Sequence, residues 1–366
     1  MEIQSTSSRT GNQQPGEASA SVTLSPCHPV TLSPCHRPRM LITLGDVAGI
    51  GPEIVARAWP DLLSLCRPAI VGDPLWVRRG LELIGSRGRV QVIARPIEAA
   101  PAVDVLPCLP GSDQDLHAVQ PGRVSAAAGR AAYDFLCRAI DWTMAGEADG
   151  IVTTPLHKEG LHAAGLPYPG HTEILADRTG VKEFAMVLAV GNLAVAHVTL
   201  HMALRDVFRH LTTDAVLEKT RLLDRLLARM LGRRPRLGVA ALNPHASDGG
   251  LFGDEEATII APAVQAARRE GFDASGPWPC DTLFVRARRG DFDGIVAMYH
   301  DQGHIALKLL GEGRAVNISA GLPIVRTSVA HGTAYDIAGR GIADAASLIE
   351  ATHVAALLAC HGERPA

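Results

Sequence analysis

Several things are missing from this 366-residue chain, and each absence removes a class of function. No run of about 18 or more apolar residues is unbroken, so there is no candidate membrane span. The longest apolar stretch, Phe184 to Leu204, is interrupted by Gly191, Asn192, His197, Thr199 and His201. It reads instead as two strands joined by a Gly-Asn hairpin turn. No bulk positive charge is present: 35 Lys and Arg stand against 38 Asp and Glu, a net charge of -3. Nucleic acid would not accumulate on such a surface by counterion release, and any anionic ligand needs a local site. The seven cysteines include no CxxC pair and lack the density of a disulfide framework, which points to a reducing, cytoplasmic setting. No basic segment leads into an apolar one at the start, so a secretory signal is not expected. Neither GxGxxG nor GxxxxGK[ST] occurs, and a dinucleotide would have to bind by a route other than a Rossmann turn.

The first 39 residues are rich in Ser, Thr, Pro, Gln and Gly and contain the tandem VTLSPCHP VTLSPCHR, a composition that builds no core. Cys27, His28, Cys35 and His36 lie in that repeat without a hydrophobic frame, which argues against a metal site. Met40 directly precedes a clean strand and reads as the functional start.

From Met40 onward β-branched runs alternate with helical patterns: MLITL, PAIVG, RVQVIA, AVDVL, a helix around 124–146, DGIVTT, the hairpin, a helix around 213–231, RLGVAAL, a helix over 254–270, DGIVAMY and a last helix near 343–359. This alternation predicts an α/β fold with a parallel sheet and ligands at the carboxyl ends of its strands. Chemistry-bearing residues follow those strands. GDVAGIGPEI (45–54) places glycines for close backbone approach and Pro52 at a first helical position. TTPLHKEGLHAAGLPYPGHTEILA holds His157, Lys158 and His162, then His171 and Thr172 at a helix start, a cradle for an anion. His201, His245 and His300 each follow an apolar strand of one sheet and can converge. Three neutral imidazoles with open coordination positions describe a catalytic site for zinc or another first-row divalent ion, with Asp301 beside His300 as an orienting carboxylate. Lys308 is one of only four lysines, and with Asn317 and Arg326 it suits a substrate bearing carboxylate and phosphate.

Together GDxAGIGPEI, HKxG…GHTE, LNPHAxxGGxxGxEE, DTLF, MYHDQG and GLPxxRTSxxHGTAxxxAGRG, in that order, resemble the 4-hydroxythreonine-4-phosphate dehydrogenase family of vitamin B6 biosynthesis, from Met40 to the C-terminal helix. The resemblance implies a two-domain fold like that of isocitrate and isopropylmalate dehydrogenases, with the active site in the interdomain cleft. Residues 40–150 with 310–366 would form one domain, and 151–309 a second that carries metal ligands and dimer contacts. It implies a homodimer with shared active sites, NAD as oxidant with NADP as the alternative, and a divalent metal: zinc first, then magnesium, cobalt or manganese. By motif, His201, His245 and His300 match metal ligands, while His171, Thr172, Lys308, Asn317 and Arg326 match substrate-binding positions. His201, His245, His300 and Lys308 are the catalytic set. The implied reaction is oxidation and decarboxylation of 4-(phosphooxy)-L-threonine to 3-amino-2-oxopropyl phosphate. The loop GDVAGIGPEI and the PYPGHTEILA run look more like a paralogous branch that converts 4-phosphorylated threonate or erythronate, giving dihydroxyacetone phosphate. A metal-dependent lyase or aldolase without a redox step, and a non-catalytic binding protein, are the readings from other classes. No membrane or nucleic-acid partner is expected.

Overall fold

The computed structural model describes residues 37–311 and 313–361, so the segment holding Cys27, His28, Cys35 and His36 lies outside the described residues. Twelve strands form one sheet: β1 (Arg39–Thr43), β2 (Arg67–Gly72), β3 (Arg89–Val92), β4 (Val105–Pro110), β5 (Gly150–Thr153), β6 (Ala185–Val190), β7 (Leu193–His197), β8 (Leu237–Ala240), β9 (Ala274–Trp278), β10 (Gly294–Ala297), β11 (Val316–Ala320) and β12 (Arg326–Val329). Their spatial order is β3-β4-β2-β1-β5-β12-β11-β6-β7-β10-β8-β9. β1, β6 and β10 are continuous apolar runs because helices cover both faces, whereas the central β11 (VNISA) and β12 (RTSV) carry polar side chains. In β1, Met40, Leu41 and Ile42 are wholly buried.

An all-parallel sheet is not what forms. The expected Gly-Asn hairpin is present, with Gly191 at φ 53°, and it makes β6 antiparallel to β7. A two-residue connection can join only antiparallel neighbours. β11 then runs antiparallel to both β6 and β12, so the sheet is mixed.

The helices begin and end where local chemistry directs. The helix Thr213–Leu231 starts at Thr212, whose Oγ1 accepts from Ala215 N at 3.1 Å, and stops at Gly232 in the left-handed region, φ 65°. Ser125 caps Ala126–Met144 in the same way. Pro52 stands in the first turn of Gly51–Leu65, where its missing N–H is no loss. Among the described residues, no helix is long and apolar enough to cross a membrane.

Asp293 pins the entry to β10. Its oxygens take both guanidinium arms of Arg233, at 2.9 and 2.7 Å, and the backbone N–H of Arg236 at 2.8 Å. Burial alone would raise its pKa, but the hydrogen bonds from Arg233 and Arg236 outweigh it and hold the carboxyl well below the usual range. A depressed folded pKa gives stability that is present above the unfolded value and is lost as pH falls below it. Asp293→Asn is therefore expected to lower stability by roughly 1–3 kcal/mol at pH 7, discounted for the half-exposed arginines. Thermal melts should show the gap from wild type narrowing below about pH 4. A gap independent of pH would contradict this reading.

Candidate active site

The polar residues gather in two neighbouring groups, the first at the centre of the sheet. Period-2 alternation decides which way β12 points its side chains. Thr327 Oγ1 donates to Ala351 O of the helix Ala346–Cys360 at 2.7 Å, so Arg326 points to the opposite face. There its Nη2 donates to Thr153 Oγ1 at 2.7 Å and its Nη1 to Ser319 Oγ at 3.1 Å. Arg326 is 2% exposed, and burial lowers its pKa to about 9. The guanidinium still carries its charge at neutral pH, yet both of these partners are neutral hydroxyls. Its Nε is buried without a partner, as are Thr43 Oγ1, Thr154 Oγ1 and Asn317 Oδ1. Register places Thr43 beside Thr153 and Asn317 beside Ser328, on the Arg326 face. Uncompensated donors and acceptors around a buried cation are groups that an anion with polar substituents would satisfy.

His171 opens the helix His171–Thr179 at the edge of this group. Burial, and then the neighbouring Arg326, hold its imidazole well below the usual pKa, against a hydrogen bond with the Thr154 backbone. The ring is thus neutral, a donor and acceptor rather than a second cation. Thr172 follows it in the first helical turn, half-buried.

The second group sits beyond the carboxyl ends of β7, β10 and β8, which are adjacent and parallel. His201, His300 and His245 leave those three ends in that order. Gln302 links two of them, accepting from Met298 N and donating to Ala241 O, each at 2.7 Å. The His201 and His300 ring centroids are 5.7 Å apart, and His300 Nδ1 lies 2.6 Å from Asp301 Oδ1. Two histidines that the sequence reading did not select complete an imidazole array. His304 stacks on His300 at 3.8 Å, and its Nδ1 meets His197 Nε2 at 3.1 Å. Gly303 makes room for this, since a Cβ there would fall 2.5 Å from His197 Nε2. Burial lowers His304 to about 4 and His197 to about 3, so both rings are neutral at physiological pH. Burial, then Lys158 and His300, also lower His201, while Lys308 acts electrostatically on His304. Lys158 opens the short helix that follows the loop after Thr153, so one connection links the arginine pocket to the imidazoles.

His245 is placed differently. It is exposed on a segment in the left-handed region, and none of the ring contacts of the array includes it. Among the described residues, no three His, Cys, Asp or Glu side chains gather closely enough to hold a metal ion. His201 and His300 offer imidazole nitrogens of the kind a divalent ion takes, and among the described residues His245 does not join them. Left-handed backbone costs residues with a Cβ roughly 1–2 kcal/mol each, so the His245 segment is held in place by its surroundings.

His157 and His162 stand outside both groups. The His157 ring stacks on Tyr335 at 4.5 Å, and Tyr335 Oη donates to the wholly buried Asp46 at 2.8 Å. That contact ties the glycine-rich loop after β1 to the segment after β12. His162 is exposed on the short helix Lys158–Ala163.

Comparison with known proteins follows the same outline. The family model for pyridoxal phosphate biosynthetic protein PdxA matches residues 64–355. A 4-hydroxythreonine-4-phosphate dehydrogenase of Beijerinckia indica is 50% identical over 84% of this chain and 91% of its own length. A D-threonate 4-phosphate dehydrogenase of Cupriavidus necator is 45% identical over 87% of this chain and 96% of its own. Among solved structures, a 4-hydroxythreonine-4-phosphate dehydrogenase from Klebsiella pneumoniae superposes with a TM-score of 0.81 at 41% identity, covering 89% of this chain and 99% of that one.

Proposed function

The chain belongs to the family of the pyridoxal phosphate biosynthetic protein PdxA and is an oxidoreductase, and on that footing we propose that it oxidises a small phosphorylated hydroxy acid with NAD, at a site completed by a second copy of itself. The observation that carries this reading is Arg326, a buried cation that among the described residues has only neutral hydroxyls as hydrogen-bond partners. Such a group is stabilised when a doubly charged phosphate or a carboxylate enters. His171 and Asn317 lie by the same space, and with Thr172 beside His171 and the exposed Lys308 near the imidazoles they would supply imidazole, amide, hydroxyl and ammonium groups to position the rest of the molecule. The sheet order supports the two-domain reading. β1 to β4 with β12 and β11 lie on one side and β6 to β10 on the other, with β5 (Gly150–Thr153) inserted between β1 and β12, and the arginine pocket on β5, β12 and β11 lies next to the β11-β6 boundary. There the interdomain cleft of residues 40–150 with 310–366 and residues 151–309 would open.

His201 and His300 from one chain and His245 from its partner would hold a divalent ion, zinc before magnesium, cobalt or manganese. Such an ion supplies Lewis acidity to the substrate oxygens and stabilises negative charge as hydride leaves for NAD and carbon dioxide is lost. The chain's own residues do the rest. Arg326 and Lys308 fix the anionic groups, neutral His171 donates a hydrogen bond without repelling Arg326, and Asp301 orients His300.

The homodimer rests on where apolar surface remains. Every metal-ligand candidate is followed by exposed large apolar side chains: Leu204 and Phe208 after His201, Leu251 and Phe252 after His245, Ile305 and Leu309 after His300. All of these are 45–77% exposed. Apolar residues concentrated beside a site in this way mark a surface that a partner covers. A cytoplasmic location belongs to the same reading, with Cys66, Cys108, Cys137 and Cys280 as thiols.

4-(Phosphooxy)-L-threonine, giving 3-amino-2-oxopropyl phosphate, is the first substrate. D-threonate 4-phosphate, giving dihydroxyacetone phosphate, is the second, favoured by relatives of that name at 44–45% identity. Absorbance at the reduced-nicotinamide band, with NAD, a divalent metal and each acid in turn, tests the proposal. Metal-dependent reduction with one acid is expected. No reduction with either, with NAD or NADP, would overturn it in favour of a lyase.

A further inference from the structure

His245 begins a run of six residues with positive φ: His245 53°, Ala246 55°, Ser247 68°, Asp248 46°, Gly249 70° and Gly250 96°. Four of these carry a Cβ, so the run does not favour its own conformation. The run lies within the short 3-10 segment Pro244–Gly250, with Leu251 N donating to Ser247 O, and at its ends Ala246 N donates to Asn243 O at 3.3 Å and Phe252 N to Ser247 O at 3.2 Å. One side chain spans the segment. Glu256, 4% exposed, accepts at Oε1 from Leu242 N and Asn243 N, both at 2.7 Å. At Oε2 it accepts from Asn243 Nδ2 at 3.0 Å and from Ser247 Oγ. A single carboxylate thus grips both the residues that lead into the run and the hydroxyl at its middle. Two of the donors are backbone N–H groups that cannot reverse their role, so the site requires an acceptor. An amide would have to turn its N–H₂ toward Asn243 Nδ2 and Ser247.

We propose that Glu256 is a positioning residue that presets the left-handed segment and so presents His245 to the active site of the partner copy, without itself touching substrate or metal. The inference rests on the reading of His245 as a metal ligand.

Zinc binding tests it, measured on metal-stripped full-length protein against a chromogenic chelator. Glu256→Gln is expected to weaken zinc affinity by roughly 10- to 100-fold, the usual effect of losing a group that orients a ligand. Ser247→Ala, which removes one hydroxyl, should weaken it by a smaller factor, and it decides the matter if Glu256→Gln does not fold. The discriminating variant adds Asp248→Gly, an exposed position where glycine takes the left-handed conformation at no steric cost. The double variant Glu256→Gln/Asp248→Gly should recover most of the lost affinity, with amide exchange across 243–252 slowing back toward wild type. A purely structural carboxylate would give no such rescue. Wild-type affinity in both Glu256→Gln and Ser247→Ala, or a loss in Glu256→Gln that Asp248→Gly leaves untouched, overturns the proposal. Wild-type affinity in His245→Ala overturns the metal reading itself, and this inference with it.

Discussion

Arg326→Met is expected to lose activity while keeping or gaining stability. The side chain is fully enclosed, its charge faces the hydroxyls of Thr153 and Ser319, and its Nε has no partner. A buried cation without a counter-ion destabilises the empty protein, so an apolar side chain of similar length removes a cost rather than a contact. In the complex the balance reverses, because the anion loses the guanidinium that offsets its own desolvation. Truncating one member of a buried, hydrogen-bonded charge pair costs about 2–5 kcal/mol, roughly 30- to 4000-fold in kcat/KM. Thermal melts with and without inorganic phosphate separate the two effects. Wild type should be stabilised by phosphate, whereas the variant should melt at or above the wild-type temperature and ignore the ligand. A variant that is less stable and still responds to phosphate would show that Arg326 is a structural ion, not the anion receptor.

How far the sequence reveals this site depends on where each residue sits. The placing of His201, His245 and His300 after apolar strands is legible in the sequence, and those strands, β7, β8 and β10, are neighbours in the sheet. The hairpin is legible from Gly191 and Asn192. Arg326 and Asn317 are legible only as residue types in a motif. The structure puts them within β12 and β11, not in loops, and these strands look like glycine-bounded connections in the sequence. Their register brings Thr153 to Arg326 across 173 positions, which no local pattern announces. His197 reads as core because it ends the apolar strand LAVAH. His304 could have been found: it lies four residues after His300 in one helix, and that spacing places two side chains on one face. The left-handed segment leaves only the Asp-Gly-Gly of 248–250 as a local sign. The carboxylate that grips it lies nine residues beyond Ser247.

That His245 stands apart from the imidazole array is the feature with the widest consequence. Within one chain His201 and His300 are neighbours, and no described trio completes a metal site. Exposed Leu204, Phe208, Leu251, Phe252, Ile305 and Leu309 follow the three histidines in sequence. In the proposed homodimer, two copies related by a two-fold axis would cover this surface, and if His245 of one reached the pair of the other the reverse contact would follow by symmetry.

Mixing two inactive variants tests that claim most directly. His201→Ala and His245→Ala, each expected to be without measurable activity alone, are combined in equal amounts, partially unfolded, refolded together and assayed by nicotinamide reduction. In a mixed dimer one site collects both lesions and the other collects neither, so random pairing should restore about a quarter of wild-type activity. If the three ligands instead come from one chain, every site keeps one lesion and the mixture stays inactive. That result, with one variant isotope-labelled so that mixed dimers are confirmed by their intermediate mass, would contradict the shared site.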